Sequence, residues 1–342
     1  MMAATIIEST QGTHFVGQHI YGTWWFATLW AMLTLTGCIY AVQRKLYKNI
    51  AALLLHASFV IILIGALVTH LTQKKGMVHL RQDVPQSLAV KEDGMAMQLN
   101  FNLRLDSFEV KYKEESDIIE DYISTVTIIP SNQQRAISMN NILKVGGIRF
   151  YQADYDPDLH GSILIVNSDP WGIPITYTGY CLLAMSFILI FLRRRNLPLI
   201  LGSLVLTAFI AYLFSKKEYN IPVLNTWLLP VHVSLIITAY VLLFFAIWQR
   251  RLLVIAVGLL SMGIFIGAYW ANISWGTYWS WDSKEVWALI TLLISAAPLH
   301  TASLPLLQSK KAYRLYMVIT LLAVLMTYFG VNYLLPGMHS YA

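Results

Sequence analysis

An imidazole in hydrocarbon is costly unless something partners it, so histidines within apolar runs are the first residues to consider for chemistry. His56 lies in LLLHASFVIILIGAL and His300 in ISAAPLHTASLP. His232 lies in WLLPVHVSLIITAY and His339 in LLPGMHSYA. Two neutral imidazoles, each oriented through its second ring nitrogen, form the common axial pair of a haem iron. Taken singly, each of the four is as readily a packing, helix-cap or surface histidine. What favours chemistry is how they pair.

The segment SWGTYWSWDSKEVWALI at 274–290 holds the densest aromatic cluster of the chain. Trp275, Tyr278, Trp279 and Asp282 recur at i, i+3, i+4 and i+7, so a helix here would set three rings and a carboxylate on one face. Trp281 adds a third indole. Any one tryptophan would pass for an interfacial belt residue. Together they suit a flat porphyrin, because rigid indoles offer large apolar contact with little side-chain freedom to lose. A macrocycle held this way keeps an edge open, and the protein contributes orientation and proximity more than acid or base chemistry.

The elements that position these residues follow from composition. Of 342 residues, 57% are hydrophobic and only 12% charged, against about a quarter charged in ordinary soluble proteins. Runs long enough to cross a bilayer fall at 21–42, 51–71, 172–192, 197–215, 227–248, 252–271, 286–305 and 313–335, since about 20 apolar residues span the hydrocarbon. Arg44, Lys45 and Lys48, then Arg193 to Arg195, then Arg250 and Arg251, then Lys310, Lys311 and Arg314 fill alternate short loops. Those loops are cytoplasmic by the positive-inside rule, with Lys216 and Lys217 as a mild exception. The net charge of +6 is thereby a topology signal, and no nucleic-acid partner is expected. His56 then lies roughly 8 Å inside the inner end of its helix. His300 reaches a similar depth at the inner end of the seventh run. His232 and His339 share the outer level and bracket the tryptophan segment.

The two cysteines, Cys38 and Cys181, lie in apolar helices with no C-x-x-C spacing. Neither disulfide exchange nor a zinc site is expected of them, and without C-x-x-C-H the chain carries no covalent haem of its own. Residues 99–166 switch to alternation, as in YISTVTII at 122–129 and GSILIVN at 161–167, with turns at Asn140-Asn141 and Gly146-Gly147. This predicts a small antiparallel β domain on the outer side. Its aromatics (Phe108, Tyr112, Phe150, Tyr151, Tyr155) and acids (Asp117, Glu120, Asp121) form no triad, phosphate loop or metal spacing. They serve a solvated sheet with an aromatic core, or a docking surface for a protein substrate.

WGTYWSWD followed by KEVWALI resembles the WWD domain of haem-handling proteins in cytochrome c maturation. HVS at 232–234, LHT at 299–301 and YFGVNYLLPGMHSYA at 328–342 make residues 197–342 similar to the CcsA (ResC) half of the System II cytochrome c synthase. YGTWWF at 21–26, HASFVIILIGAL at 56–67, DYISTVTI at 121–128 and ISMNNILKVGGIRFYQADYD at 137–156 resemble the CcsB (ResB) half. The resemblance is thus to a fused CcsB–CcsA protein. It departs in two places: MAATIIEST at 2–10 is similar to the end of a preceding helix, and Ser283 stands where the family commonly has proline.

The resemblance implies a polytopic α-helical membrane protein of about eight transmembrane helices with a small extracytoplasmic β domain. Its parts would be CcsB-like helices at 1–71, the β-rich domain at 72–170, a closing CcsB-like helix at 171–196, and a CcsA-like haem-handling domain at 197–342 with its WWD segment at 274–287. It implies His56 and His300 as transmembrane haem ligands, and His232 and His339 as external ones. Trp275, Trp279, Trp281 and Asp282 would form the catalytic segment. The expected cofactor is haem b; the expected partners are apocytochrome c bearing C-x-x-C-H, haem, the lipid bilayer and a thiol-reducing system. The expected setting is the bacterial inner membrane, multi-pass, with the tryptophan segment and β domain on the periplasmic side. On this reading the chain exports haem and joins it to apocytochrome c as a holocytochrome c synthase. A haem transporter or chaperone without ligation uses the same ligands, and so does a b-type electron-transfer cytochrome, which has no need of an open-edged aromatic platform or an outer domain.

Overall fold

The computed structural model describes every residue except 92–93, 115, 194–196, 218, 220 and 336–342. Two short helices, α1 (Met2–Gln11) and α2 (Thr13–Val16), precede the membrane helices α3 (Trp24–Gln43) and α4 (Ile50–Thr72). An eight-stranded antiparallel sheet follows, and then α5 (Gly172–Arg193), α6 (Leu197–Ser215), α7 (Leu228–Ala246) and α8 (Arg251–Ser274). The chain continues through α9 (Ser283–Ala296), α10 (Lys310–Leu325) and α11 (Val331–Leu334). A π turn at Met326–Gly330 joins α10 to α11 in one apolar rod, Lys310–Leu334. Among the described residues seven helices are long and apolar enough to span a membrane. The protein is a polytopic helical membrane protein with a small β domain.

The seventh run expected from hydropathy, 286–305, is the exception. It folds as the 14-residue α9, which begins earlier, at Ser283, and gives way to a 3-10 turn at Ala297–Leu299. At 1.5 Å per residue α9 is only about 21 Å long, too short to cross alone. Pro298 lies in the 3-10 turn, where its missing N–H cannot continue the α-helical ladder. His300 therefore lies in the turn beyond the helix rather than in it.

The sheet orders its strands β5-β4-β3-β2-β1-β8-β7-β6. They are β1 (Lys74–Arg81), β2 (Gln86–Lys91), β3 (Ala96–Tyr112), β4 (Ile119–Ile129), β5 (Gln133–Ile137), β6 (Leu143–Val145), β7 (Ile148–Tyr155) and β8 (Gly161–Ser168). Alternation sends Val78, Leu80, Leu103, Leu105, Val126, Leu164 and Val166 into one core with Phe150, as the period-2 pattern requires. That core is chiefly aliphatic, not aromatic as expected. Phe108 packs against its edge and stacks on Tyr155, with ring centroids 5.0 Å apart, and Tyr151 turns away towards the helices. Gly146 and Gly147 both take positive φ, 58° and 77°, as a two-residue hairpin between β6 and β7 demands.

The chain enters the sheet from the end of α4 and leaves it into the start of α5, so these two helices form an antiparallel pair. Small residues let their backbones touch: a Cβ on Gly65 would lie 2.7 Å from the Thr176 backbone nitrogen, and one on Gly172 2.7 Å from that of Thr69. Such close approach is how helices pack where solvent gives no drive. α8 is the central helix, with 67% of its apolar window buried, against 6% for α3 and α6. Arg44, Lys45, Lys48, Arg193, Arg250, Arg251, Lys310, Lys311 and Arg314 all fall at the end of the bundle opposite the sheet. The Arg250 guanidinium, for instance, donates to the carbonyls of Leu307 and Gln308 just before α10.

Candidate functional site

At the basic end, His56 on α4 and His300 after α9 come together from segments 244 residues apart in sequence, with ring centroids 6.1 Å apart and planes at 87°. Each ring is oriented by its own helix. His56 Nδ1 donates to the Ala52 carbonyl at 2.8 Å, and His300 Nδ1 to that of Ala296 at 3.1 Å. These bonds select the tautomer with Nδ1–H and leave Nε2 carrying the lone pair. Metal–imidazole bonds of ~2 Å on either side of one ion, plus the ring radii, require a centroid spacing of roughly 6 Å. The spacing and the tautomers both fit a planar metal complex between the rings. His300 is exposed and His56 half-buried.

The tryptophan segment is not a helix. Residues 275–282 form an irregular loop in which Gly276 (φ 83°) and Trp281 (φ 62°) both take left-handed conformations, and this breaks the expected single face. Asp282 is the N-cap of α9: its Oδ1 accepts from the Glu285 N–H at 2.8 Å. The Glu285 carboxylate returns to the loop, accepting from the N–H groups of Ser280 at 2.7 Å and Trp281 at 2.8 Å and from the Ser280 hydroxyl at 3.1 Å. This is a variant of the capping box in which the return bonds reach the two residues before the N-cap. At 1% exposure, Asp282 caps α9 and shapes the loop.

The indoles accordingly diverge. Trp281 stacks on Tyr21 at 4.9 Å and meets Phe26 edge-on at 5.1 Å. Trp275 packs against Trp270 at 5.3 Å, beside Leu228 and Leu229. Trp279 lies between, 5.8 Å from Trp281, over the α7–α8 core. Among the described residues the indole N–H groups of Trp270 and Trp279 are buried without a hydrogen-bond partner, donors that a ligand acceptor would satisfy. Near Trp275 a cleft of ≈ 420 Å³ opens between Asn140 of the sheet domain, Trp227, and Tyr269 and Trp270 on α8. His232 on α7 points its Nδ1 to the Gly263 carbonyl at 2.8 Å, and its ring occupies the space above Gly267, where a Cβ would be 2.6 Å from it. His339 lies outside the described residues, so the expected pairing with His232 is not visible.

Residues from distant segments hold this loop through contacts that the sequence did not show. Tyr278 donates to the Thr69 hydroxyl at 2.8 Å, and Thr69 to Asp169 at 2.6 Å; Asp169 also accepts from the Gly172 N–H at the start of α5. The Asn167 amide of β8 donates to the Gly276 carbonyl, while Tyr151 of β7 fills the space beside Gly276. Asn140 accepts from the Ser274 hydroxyl at 3.1 Å. On the far side, Glu8 of α1, 2% exposed, accepts from Ser283 at 2.7 Å and Thr13 at 2.8 Å, and Trp287 donates to Thr5 at 3.1 Å. Of these, only the Asp282-x-x-Glu285 spacing left a readable signal, a capping-box pattern.

The described residues thus form a multi-helix membrane scaffold with an imidazole pair at one end and a capped tryptophan loop at the other. Residues 41–172 match the ResB-like family, and residues 245–339 match the cytochrome C assembly protein family. The chain is 48% identical over 94 residues to cytochrome c biogenesis protein CcsA of Amborella trichopoda, covering 28% of this chain and 30% of that protein. It is 47% identical over 93 residues to protein NrfI of Wolinella succinogenes, covering 26% of this chain and 10% of that one. With CcsA of Gloeobacter violaceus the identity is 46% over 91 residues, 27% of each chain. The aligned part thus spans a third or less of these relatives. With both family parts in one polypeptide, the chain belongs to the fused CcsB–CcsA proteins of cytochrome c biogenesis.

Proposed function

We propose that this protein takes up haem b at the basic, cytoplasmic end of the bundle, carries it across the bilayer, and joins it covalently to the C-x-x-C-H segment of an apocytochrome c on the outer face. The observation that carries this reading is the His56–His300 pair, 6.1 Å apart with both Nδ1 atoms tied to backbone carbonyls. Haem is the cargo and supplies the iron the imidazoles hold and the two vinyl groups that become thioethers. The segregation of basic residues to the end opposite the sheet supports the orientation. At the sheet end His232, with His339 as its expected partner, would bind the iron, and Trp275 and Trp279 would hold the macrocycle. The cleft between Asn140, Trp227 and Trp270 is the approach available to the peptide. Each cysteine S–H adds across a vinyl double bond, sulfur to one carbon and hydrogen to the other, so the step needs reduced thiols, kept so by a separate reductant, and no further co-reactant.

Ligation is tested with matched substrates coexpressed with this chain, one carrying C-x-x-C-H and one C-x-x-C-A. The substrate histidine would replace a protein ligand on the iron, so covalent haem is expected on the first and little on the second. Equal, near-zero yields with reducible haem left on the membrane protein would favour a b-type cytochrome.

A further inference from the structure

Haem brings two propionates as well as its iron, and an unpaired carboxylate at membrane depth is costly. If the iron sits between His56 and His300, the reading on which this inference rests, the propionates need a cation near that pair. The C-terminal end of α3 is tied to the turn that carries His300. The Tyr40 hydroxyl lies 2.5 Å from the Ser303 hydroxyl, and one turn further on Arg44 Nη2 donates to the Ala302 carbonyl at 3.5 Å. The Arg44 guanidinium lies 5.4 Å over the Tyr40 ring, which fixes its position without using its donors. A guanidinium has five N–H donors in a fork that matches a carboxylate. Among the described residues Arg44 has no carboxylate within ion-pair distance, and its one hydrogen bond is long. Two other arginines at this end are engaged elsewhere: Arg193 donates to Asn49 at 2.8 Å, and Arg250 lies 4.0 Å over the Tyr313 ring while bonding the carbonyls before α10.

We propose that Arg44 binds a propionate of haem held by His56 and His300, orienting the macrocycle with its carboxylates towards the basic end of the bundle. A residue serving only as a positive-inside charge or a helix-end cation would affect insertion or stability. It would not distinguish haem from haem whose carboxylates are masked.

The test titrates the full-length protein in detergent with haem and with haem dimethyl ester, followed by Soret absorbance, in a His232→Ala background that removes the other candidate site. The parent should prefer haem over the ester by on the order of tenfold or more, the size of one charge-assisted carboxylate contact. Arg44→Gln should bind both alike, and Arg44→Lys, which keeps the charge and the fold, should retain part of the preference. A parent without preference, or Arg44→Gln with the parent's preference, overturns the assignment. His56→Ala separates the two levels of failure. If it binds haem as the parent does, the imidazole site itself is wrong and the arginine assignment falls with it. If it loses haem while Arg44→Gln still discriminates, only the arginine assignment falls.

Discussion

Replacing Glu285 with alanine should release the tryptophan loop while leaving the helices in place. Its carboxylate accepts from two loop N–H groups, Ser280 at 2.7 Å and Trp281 at 2.8 Å, and from the Ser280 hydroxyl. Hydrogen bonds to a charged group contribute about 1.5–3 kcal/mol each, and such contributions are not additive. Glu285 is only half-buried, so water replaces part of what is lost and about 2–4 kcal/mol remains for the set. At 1.4 kcal/mol per tenfold, amide exchange across 275–282 should speed up by roughly 30- to 1000-fold. Glu285→Gln keeps one acceptor oxygen and should show about half the effect in free energy. Hydrogen exchange read by mass spectrometry on protein in nanodiscs measures this, with the sheet peptides as internal control. Exchange unchanged within threefold in Glu285→Ala would refute the capping-box account of the loop.

Gly276→Ala places a Cβ 2.8 Å from Tyr151 Cε2 on a residue with φ 83°. Left-handed strain of ~1–2 kcal/mol and crowding of ~1–3 kcal/mol should lower thermal stability. The crowding part should be relieved in a Tyr151→Ala background, and equal losses in both backgrounds would count against the packing described. Trp281→Ala removes the contacts with Tyr21 and Phe26 and should raise exchange in residues 2–21, whereas Trp279→Ala should reduce haem retention and leave that exchange unchanged; identical effects would mean the two indoles are not functionally distinct. In the sheet domain the Arg81 guanidinium, hydrogen-bonded to Asp158, holds that carboxyl down at about 2. The ionised pair therefore contributes above the unfolded pKa of ~3.9 and is lost as pH falls through about 2. Carboxylate chemical shifts in aspartate-labelled protein should show this titration move up towards ~3.9 in Arg81→Ala.

The long apolar helices and the alternating strands were legible because each is a local pattern repeated over many residues. His56 and His300 were legible as a pair because charge and run length set their depth, although Pro298 puts His300 in a turn rather than a helix. The 275–282 loop was misread because i, i+3, i+4, i+7 spacing is helical only where the backbone is, and Gly276 and Trp281 turn it left-handed. The Asp282-x-x-Glu285 capping box was the local clue that a helix starts at Ser283. Thr69, Asn140, Tyr151, Asn167 and Glu8 left no such clue, since each acts through a partner at least 100 residues away in sequence, and only the fold brings them to the loop.

The central claim is that haem admitted at His56 and His300 becomes covalently bound to a cytochrome on the other face. It is tested by coexpressing the chain with an apocytochrome c in a host with no other maturation system, and quantifying covalent haem on that apocytochrome from its pyridine adduct. The wild-type chain should give covalently attached haem, and the His56→Ala, His300→Ala double variant, inserted at equal level, should give almost none. No covalent haem with the wild type, or equal covalent haem with both, would contradict the account.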